Sequence, residues 1–184
     1  MAKALSAKPA GLLYAADLLS ADEEAALLPR LAVLRFDPIV MHGQAARRTA
    51  RHFGLDYDYA LRKPSPGEPM PAWLAPVRER AAQLAQVEPV ELIEILVQKY
   101  PPGSTISWHR DAPAFGTVVG VSLASACRLR FQRGKGDDRR TWEIVLEPRS
   151  GYVLAGEART AWQHAIPPVK TLRYSITFRT AKAR

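Results

Sequence analysis

The feature that most constrains the fold of this chain is a succession of short β-rich runs from about residue 91 to the C-terminus. Proline, glycine and charged clusters separate these runs from one another. Short strands at regular spacing, with turn signals between them, are typical of an antiparallel sandwich or barrel. The runs are LIEILVQKY, TISWH, TVVGVSLAS, CRLRFQR, TWEIVLE, GYVL and TLRYSITFR.

Two amphipathic helices are predicted ahead of this β-rich region. Ser20 is a suitable N-cap for the first helix, and Glu23 three residues later completes a capping box. Pro71 opens the second helix. The apolar stripes of the two helices are Leu27, Leu28 and Leu31, and then Trp73, Leu74, Val77, Ala81 and Leu84. We therefore predict an α+β, mainly β chain with two N-terminal helices outside a β double sheet.

Length and composition limit the classes of protein that fit. The 184 residues suit one compact domain, and 47% apolar with 24% charged residues is ordinary for a globular protein. The single cysteine, Cys127, excludes an internal disulfide and a zinc site built from cysteines. No run approaches the roughly 20 apolar residues of a membrane span. Asp17 interrupts the apolar N-terminal stretch, so we expect no signal peptide, and we expect a cytoplasmic monomer.

The segment from about residue 40 to residue 68 differs in character from the rest of the chain. It is polar, basic and aromatic, which favours a long functional loop or hairpin over core structure. It contains HGQAARRTARH, with three arginines and no acid, and residues 128–140 form a second basic cluster. The net charge of +8 suits a protein that contacts phosphates, although solvated surface segments explain the same clusters equally well.

The stretch SWHRDAP carries a pattern of metal ligands. Because residues i and i+2 of a strand face the same way, His109 and Asp111 can present an imidazole and a carboxylate side by side. His164 lies just beyond the predicted strand GYVL and supplies a second imidazole. Two histidines and one carboxylate can hold Fe(II) and leave positions open for a cosubstrate and dioxygen. The alternative is a surface His–Asp pair in a turn.

The last β-rich run has two faces of different character. Leu172, Tyr174, Ile176 and Phe178 are predicted to face the core, which places Arg173, Ser175, Thr177 and Arg179 on the other face. The two arginines are about 20 Å apart along the strand. Their side chains can bend toward each other and hold a short dicarboxylate, which guanidinium groups bind in a bidentate way. An ordinary edge strand with arginines in water is the alternative.

Taken together, QKYPPGSTISWHRDAP, WQHAIPP and LRYSITFR resemble the AlkB family of Fe(II)- and 2-oxoglutarate-dependent dioxygenases. GLLYAADLLSADEEAALL and RRTARHFGLDYDY are similar as well, so the resemblance covers nearly the whole chain. It implies a single domain, residues 1–184. Within it, a double-stranded β-helix (jelly roll) would occupy about residues 91–180, and a nucleotide-recognition lid about residues 40–68.

The resemblance also implies a role for each site residue. The implied iron ligands are His109, Asp111 and His164, and the implied 2-oxoglutarate contacts are Gln98, Tyr100, Arg173, Ser175 and Arg179. Arg173 would pair with the distal carboxylate, and Arg179 would lie near the end that chelates iron. Gln98 stands where members often have asparagine, and Ser175 where many do, but both keep a hydrogen-bonding group.

The implied chemistry is oxidative dealkylation with Fe(II), 2-oxoglutarate and O2, in which an N-hydroxymethyl product releases formaldehyde. The substrate would be alkylated DNA or RNA, whose target base must leave the stack. The lid Tyr-x-Tyr of the family, which lies over the pocket, is matched by Tyr57 and Tyr59. Further candidates for phosphate or base contact are Arg47, Arg48, Arg51, Phe53 and Trp108. Packing on the core is the alternative for the tyrosines and for Trp108.

One departure from the family pattern bears on the substrate. Repair members usually carry an acidic residue two positions after the metal-binding aspartate, where Pro113 stands here. This resembles members that act on wobble uridines of transfer RNA or on methylated adenine in messenger RNA. We expect an enzyme that dealkylates bases in DNA or RNA. The same chemistry on transfer RNA or on a protein, or a non-catalytic nucleic-acid binder, are the alternatives.

Overall fold

The computed structural model describes residues 7–41, 44–58 and 63–182. The strands are β1 Leu12–Ala15, β2 Asp37–Met41, β3 Gln44–Asp58, β4 Lys63–Pro66, β5 Leu92–Tyr100, β6 Ile106–His109, β7 Phe115–Leu123, β8 Cys127–Arg133, β9 Arg140–Leu146, β10 Gly151–Leu154, β11 Gln163–Ile166 and β12 Arg173–Ala181. The α-helices are α1 Ala21–Val33, α2 Ala75–Ala85 and α3 Gly156–Thr160. Short 3-10 helices cover Ala72–Leu74, Pro89–Glu91 and Gly136–Asp138. The mainly β prediction is confirmed.

Two antiparallel sheets enclose a common interior. The larger sheet has the order β1-β10-β7-β12-β5-β3-β2, with β4 paired to β3, and the smaller has the order β6-β11-β8-β9. Tyr152 of the larger sheet and Phe131 of the smaller sheet belong to one buried cluster, so the inner faces of the two sheets meet. This arrangement is the predicted jelly roll.

The two predicted helices cover the outer face of the larger sheet. Buried residues of α1 and α2 share a cluster with Ile176 and Phe178 of β12. The predicted capping box of α1 is confirmed, because the Ser20 hydroxyl accepts from the backbone N–H of Glu23 and the Glu23 carboxylate accepts from the backbone N–H of Ser20. Pro71 precedes a 3-10 turn that leads into α2. None of the helices in the described ranges is long and apolar enough to cross a bilayer.

Strand β12 divides its side chains between the two faces of the larger sheet. Tyr174, Ile176 and Phe178 join the cluster under the helices, whereas Arg173, Ser175, Thr177 and Arg179 are buried on the face toward the smaller sheet. The predicted alternation is therefore correct for these residues. It is wrong for Leu172, which is 41% exposed because the strand begins only at the next residue.

The segment expected to be a loop or hairpin outside the core is largely a long strand. Strand β3 pairs with β5 in the larger sheet through residues 49–54. It also pairs with β2 through residues 44–50 and with β4 through residues 55–58. Ala50 and Phe53 are buried, so the expectation that this segment lies outside the core is wrong for its middle. The polar composition obscured the strand because only its middle, at Ala50 and Phe53, carries buried apolar side chains.

Candidate active site

The three predicted metal ligands come together at the edge of the smaller sheet. Strands β6 and β11 are antiparallel neighbours, and their register pairs His164 directly with His109. The two imidazole centroids are 4.3 Å apart. Asp111 lies two residues beyond the end of β6, and its Oδ2 is 3.6 Å from His164 Nε2. One ligand atom from each of the three residues lies within 4.8 Å of the others.

Hydrogen bonding and burial fix the protonation states that metal binding requires. His109 Nδ1 lies 2.8 Å from the carbonyl oxygen of Ser107, which can only accept, so the proton is on Nδ1 and Nε2 is left to bind a metal. Burial lowers the pKa of His164 to about 4, against the opposing effect of Asp111, so this imidazole is neutral at neutral pH. Burial alone would raise the pKa of Asp111, but the nearby Arg179 guanidinium and the two imidazoles hold it well below its usual range.

The donor set suits a divalent iron ion. Two neutral imidazoles and one ionised carboxylate are the ligands of the facial Fe(II) sites of oxygenases, in which three ligands on one side leave the other positions open. Among the described residues, Asp111 Oδ2 is a buried oxygen without a hydrogen-bond partner. A metal ion at this point would satisfy that oxygen.

Arg179 holds the other oxygen of the aspartate. Its Nη2 donates to Asp111 Oδ1 at 2.8 Å, and its Nη1 donates to Glu94 Oε2 at 2.7 Å. All three side chains are almost completely buried. The expectation that Arg173 and Arg179 together hold a dicarboxylate is therefore corrected. Arg179 already has two carboxylate partners from the chain, which leaves Arg173 as the candidate.

Arg173 has a different environment. It is 1% exposed, its Nε donates to Ser122 Oγ at 3.0 Å, and its guanidinium lies 4.9 Å from the centre of the Tyr100 ring. Within the described ranges, Arg173 Nη1 has no hydrogen-bond partner. A buried guanidinium with an unsatisfied donor is costly, and a carboxylate ligand would satisfy it. The structure thus fits a dicarboxylate cosubstrate whose far end binds Arg173.

The remaining predicted cosubstrate residues line the same interior face. Arg173 lies opposite Tyr100 across β5 and β12, and Ser175 lies opposite Gln98. Gln98 and Ser175 are both buried, and the Tyr100 hydroxyl donates to Gln98 Oε1 at 2.8 Å. Gln98 therefore holds the Tyr100 hydroxyl, while the ring of the same tyrosine lies against the Arg173 guanidinium.

A cavity of about 690 Å³ opens beside Asp111. Its wall includes the basic residues Arg110, Arg159 and Lys182, and Asp111 is the single acid among its described lining residues. Pro113 lines it as well. Of the three candidate metal ligands, Asp111 lines this cavity, and its basic residues suit an anionic group.

The arginines of the basic segment occupy different environments on β3. Arg47 is exposed and lies near the turn at Gly103. Arg48 is half-buried, and alternation places it on the same face of β3 as His52. The guanidinium of Arg51 is bound by Asp37 at 2.9 Å and by a second carboxylate, that of Glu68, at 2.5 Å. Arg51 thus differs from the expectation of an arginine available to phosphate.

The aromatic substrate candidates are placed as follows. Phe53 is a correction, because it is 5% exposed in the cluster under the helices and has no face left for a base. Tyr57 lies in β3 with its backbone paired to Pro64, and Tyr59 lies outside the described residues. Trp108 adjoins His109 in β6, so alternation points it away from the metal cluster, and Arg130 lies over its ring at 5.5 Å.

Four residues of the site were not identified from the sequence: Glu94, Ser122, Tyr152 and Arg159. Arg159 donates to the carbonyl oxygens of Ala112, Phe115 and Gly116, which fixes the loop that follows Asp111. The Tyr152 ring lies where a Cβ on Gly120 would be, at 2.2 Å. That glycine inside a strand was a signal of close approach that could have been used.

Comparison with known proteins agrees with this geometry. Residues 12–179 match the family described as the 2OG-Fe(II) oxygenase superfamily. The chain is 28% identical over 177 residues to the mouse protein tRNA (carboxymethyluridine(34)-5-O)-methyltransferase ALKBH8, an alignment that covers 90% of this chain and 26% of the mouse protein. It is 33% identical over 150 residues to the alpha-ketoglutarate-dependent dioxygenase AlkB of Salmonella typhimurium, covering 72% of this chain and 66% of that protein.

The fold has a close counterpart among solved structures. OsALKBH1 superposes with a TM-score of 0.70 at 16% identity, over 95% of this chain and 98% of the other. At that identity, the likeness concerns the fold alone. The chain corresponds to only about a quarter of the mouse relative and about two thirds of the Salmonella relative.

Proposed function

Since this chain belongs to the 2OG-Fe(II) oxygenase superfamily, which uses Fe(II), 2-oxoglutarate and O2, we propose that it oxidatively dealkylates bases of nucleic acid. The observation that carries this proposal is the convergence of His109, Asp111 and His164. The buried Arg173, with an unsatisfied donor, lies in the same interior. The three ligands can bind a metal ion, and Arg173 can bind an anionic cosubstrate.

In this proposal His109 Nε2, Asp111 Oδ2 and His164 Nε2 hold the iron. Asp111 and His164 are in their ligand forms at neutral pH, and the hydrogen bond of His109 Nδ1 to the Ser107 carbonyl directs His109 Nε2 to the metal. When bound, Fe(II) with 2-oxoglutarate supplies the oxidation of a C–H bond by O2, coupled to release of succinate and carbon dioxide. The chain supplies the donor geometry and leaves one side of the metal site to ligands.

Arg173 and its neighbours hold the cosubstrate in this proposal. Arg173 Nη1 is buried without a hydrogen-bond partner in the described residues and would bind the distal carboxylate of 2-oxoglutarate. Ser122 and the Tyr100 ring keep the guanidinium in one orientation. Burial of this end excludes water, which strengthens the ion pair.

Nucleic acid is the proposed substrate, bound at the basic cavity and at β3. The cavity beside Asp111 carries Arg110 and Lys182, and Arg47 is exposed on β3. These charges suit the phosphates on either side of a base that has left the stack. The Salmonella relative is named a dioxygenase, which supports the reaction class. The mouse relative is named a tRNA methyltransferase, which supports nucleic acid as the substrate class.

The test is a turnover assay of the purified chain with Fe(II) and 2-oxoglutarate. We expect succinate and formaldehyde to form together when single-stranded DNA or RNA carrying N-methylated bases is added. Asp111→Ala should give neither product while still unfolding cooperatively. Asp17→Ala, a change to an exposed aspartate, should leave both products unchanged. Succinate without formaldehyde from any methylated oligonucleotide would contradict dealkylation of these bases.

A second candidate is oxidation of transfer RNA at a wobble uridine. Pro113 lines the cavity and cannot accept a hydrogen bond from the amino group of adenine or cytosine, as an acidic residue there would. Transfer RNA that stimulates succinate formation more than methylated oligonucleotides do would favour this candidate. Succinate formation stimulated by a protein extract free of nucleic acid would favour a protein substrate.

The organisation and location of the protein are further parts of the proposal. We propose one domain in which residues 91–180 form the catalytic core and the segment at about residues 40–68 forms the lid over the substrate. We propose that the chain acts as a monomer in the cytoplasm. Light scattering of the purified chain tests the monomer, and deletion of residues 56–66 tests the lid through loss of nucleic-acid binding with retained iron binding.

A further inference from the structure

A carboxylate that the metal site does not use directly is completely buried behind it. Glu94, at the start of β5, is 0% exposed, and it lies opposite Arg179 in the register of β5 and β12. Its Oε2 accepts from Arg179 Nη1 at 2.7 Å, and its Oε1 lies 3.3 Å from His52 Nδ1 on the neighbouring strand β3. Burying a carboxylate costs folding free energy, and an ion pair only offsets that cost. We therefore ask what Glu94 does for the metal site.

The role follows from the shape of the guanidinium. Arg179 is planar and donates in fixed directions, so the carboxylate bound to Nη1 determines where Nη2 points. In this structure Nη2 points at Asp111 Oδ1, at 2.8 Å. Glu94 and Asp111 therefore hold the guanidinium from two sides, in the order Glu94, Arg179, Asp111.

The two oxygens of Asp111 are thereby made different. Oδ1 accepts from Arg179, whereas Oδ2, 3.6 Å from His164 Nε2, has no hydrogen-bond partner in the described part of the chain. A carboxylate with one oxygen held by a guanidinium has a single oxygen left for a metal. A facial site needs this arrangement, because a second oxygen from the same carboxylate would occupy a position required for the cosubstrate or O2.

We infer that Glu94 is a positioning residue that acts through Arg179 to keep Asp111 a one-oxygen ligand. This inference rests on the proposed function. His52 contacts the other oxygen of Glu94 and extends the connection to β3, the strand that carries the basic segment. The connection thus runs from β3 to the metal cluster through three buried or half-buried side chains.

The experiment measures metal binding without turnover. The metal-free protein is titrated with Co(II), and affinity and the visible absorption spectrum are recorded for wild type, Glu94→Gln and a control. We expect Glu94→Gln to bind Co(II) about tenfold more weakly, the lower end of the range for residues that orient metal ligands. Its spectrum should also change shape, because Asp111 gains freedom to coordinate through both oxygens. In the loaded enzyme, kcat should fall while the KM for 2-oxoglutarate, which depends on Arg173, stays the same.

The control is Glu143→Gln, which removes a glutamate paired with two arginines on the outer face of the smaller sheet. It should match wild type in both measurements. A wild-type affinity and spectrum in folded Glu94→Gln would overturn the inference. If that variant does not fold, His52→Gln is measured in its place. Weaker Co(II) binding in His52→Gln would support the inference, and unchanged binding would overturn it. Failure of the wild-type chain itself to bind Co(II) would instead contradict the proposed function.

Discussion

The two arginines of β12 occupy opposite situations although they lie on one face of one strand. Arg179 is bound to Glu94 and Asp111, so its charge is compensated inside the protein. Arg173 is as deeply buried, yet no acidic side chain of the described residues lies within salt-bridge distance, and its Nη1 has no hydrogen-bond partner there. Arg179 therefore has a structural role in the site, whereas Arg173 is available to bind an anionic ligand.

The difference follows from the cost of burying charge. A buried ion is tolerated when the chain supplies a partner, and a buried ion without one destabilises the folded chain. Arg173 therefore lowers stability in the absence of ligand and gains most when an anion binds. Arg179 stabilises the chain by its presence, because its removal would leave two buried carboxylates facing each other.

The largest effect is expected for Arg179→Met in the metal-free protein. Glu94 and Asp111 would remain buried without a cation, and breaking a buried pair in this way costs about 3–5 kcal/mol of unfolding free energy. Urea unfolding of metal-free wild type and variant measures the difference. A loss below about 1 kcal/mol, the range of an exposed ion pair, would show that Arg179 is not the compensating charge.

Arg173→Met should have the reverse pattern. Its unfolding free energy without ligand should rise, because the variant removes a buried charge that has no acidic partner among the described residues. Binding of 2-oxoglutarate should weaken by about 2–3 kcal/mol, on the order of 100-fold, because the distal carboxylate loses a buried partner. Arg173→Lys should restore only part of that affinity, since lysine lacks the fork of donors. Unchanged 2-oxoglutarate affinity in Arg173→Met would remove Arg173 from the cosubstrate site.

A smaller effect is expected for the residue that orients Arg173. Ser122→Ala removes the hydroxyl that accepts from Arg173 Nε, and a hydrogen bond of this kind contributes about 1 kcal/mol. The KM for 2-oxoglutarate should rise several-fold with kcat nearly unchanged. Ser125→Ala, three residues later in the turn after β7, is the matched control. Equal KM values in the two variants would show that Ser122 does not orient Arg173.

The smallest effect is expected on β3, where one arginine is paired with carboxylates and another is not. Arg51 is bound by two carboxylates, whereas Arg47 is exposed and has no acidic partner among the described residues. Arg47→Ala should weaken binding of single-stranded nucleic acid a few-fold and lower the slope of log K against log salt by about 0.7, the value for one phosphate contact. Arg51→Ala should leave that slope unchanged. Equal slopes for both variants and wild type would place the phosphate contacts elsewhere, with the cavity beside Asp111 as the next region to test.

Local sequence patterns were sufficient for much of the site. The alternation in β12 survives in the structure because it depends on the geometry of a single strand. The capping box of α1 is equally local. His109 and Asp111 are brought together as predicted, but Asp111 lies beyond the end of β6, so the alternation of a strand does not explain that pair. His164 required one further step, since only the pairing of β6 with β11 brings it to His109.

The residues that could not be predicted depend on register between distant strands. Glu94 faces Arg179 and Ser122 approaches Arg173 only because β5 and β7 flank β12 at a particular register, which no local pattern specifies. Likewise, Phe53 stands among charged residues in the sequence and is buried only because the two helices cover that part of β3. In each case tertiary context, not local composition, decides the environment.

The central claim is that one metal ion and one dicarboxylate share the interior of this jelly roll. The most direct measurement is a crystal structure of the chain with Mn(II), as a redox-stable substitute for Fe(II), and 2-oxoglutarate. We predict a single metal ion coordinated by His109 Nε2, Asp111 Oδ2 and His164 Nε2, chelated by 2-oxoglutarate whose distal carboxylate contacts Arg173 Nη1. A metal bound elsewhere, or 2-oxoglutarate that leaves Arg173 without a carboxylate, would contradict the account.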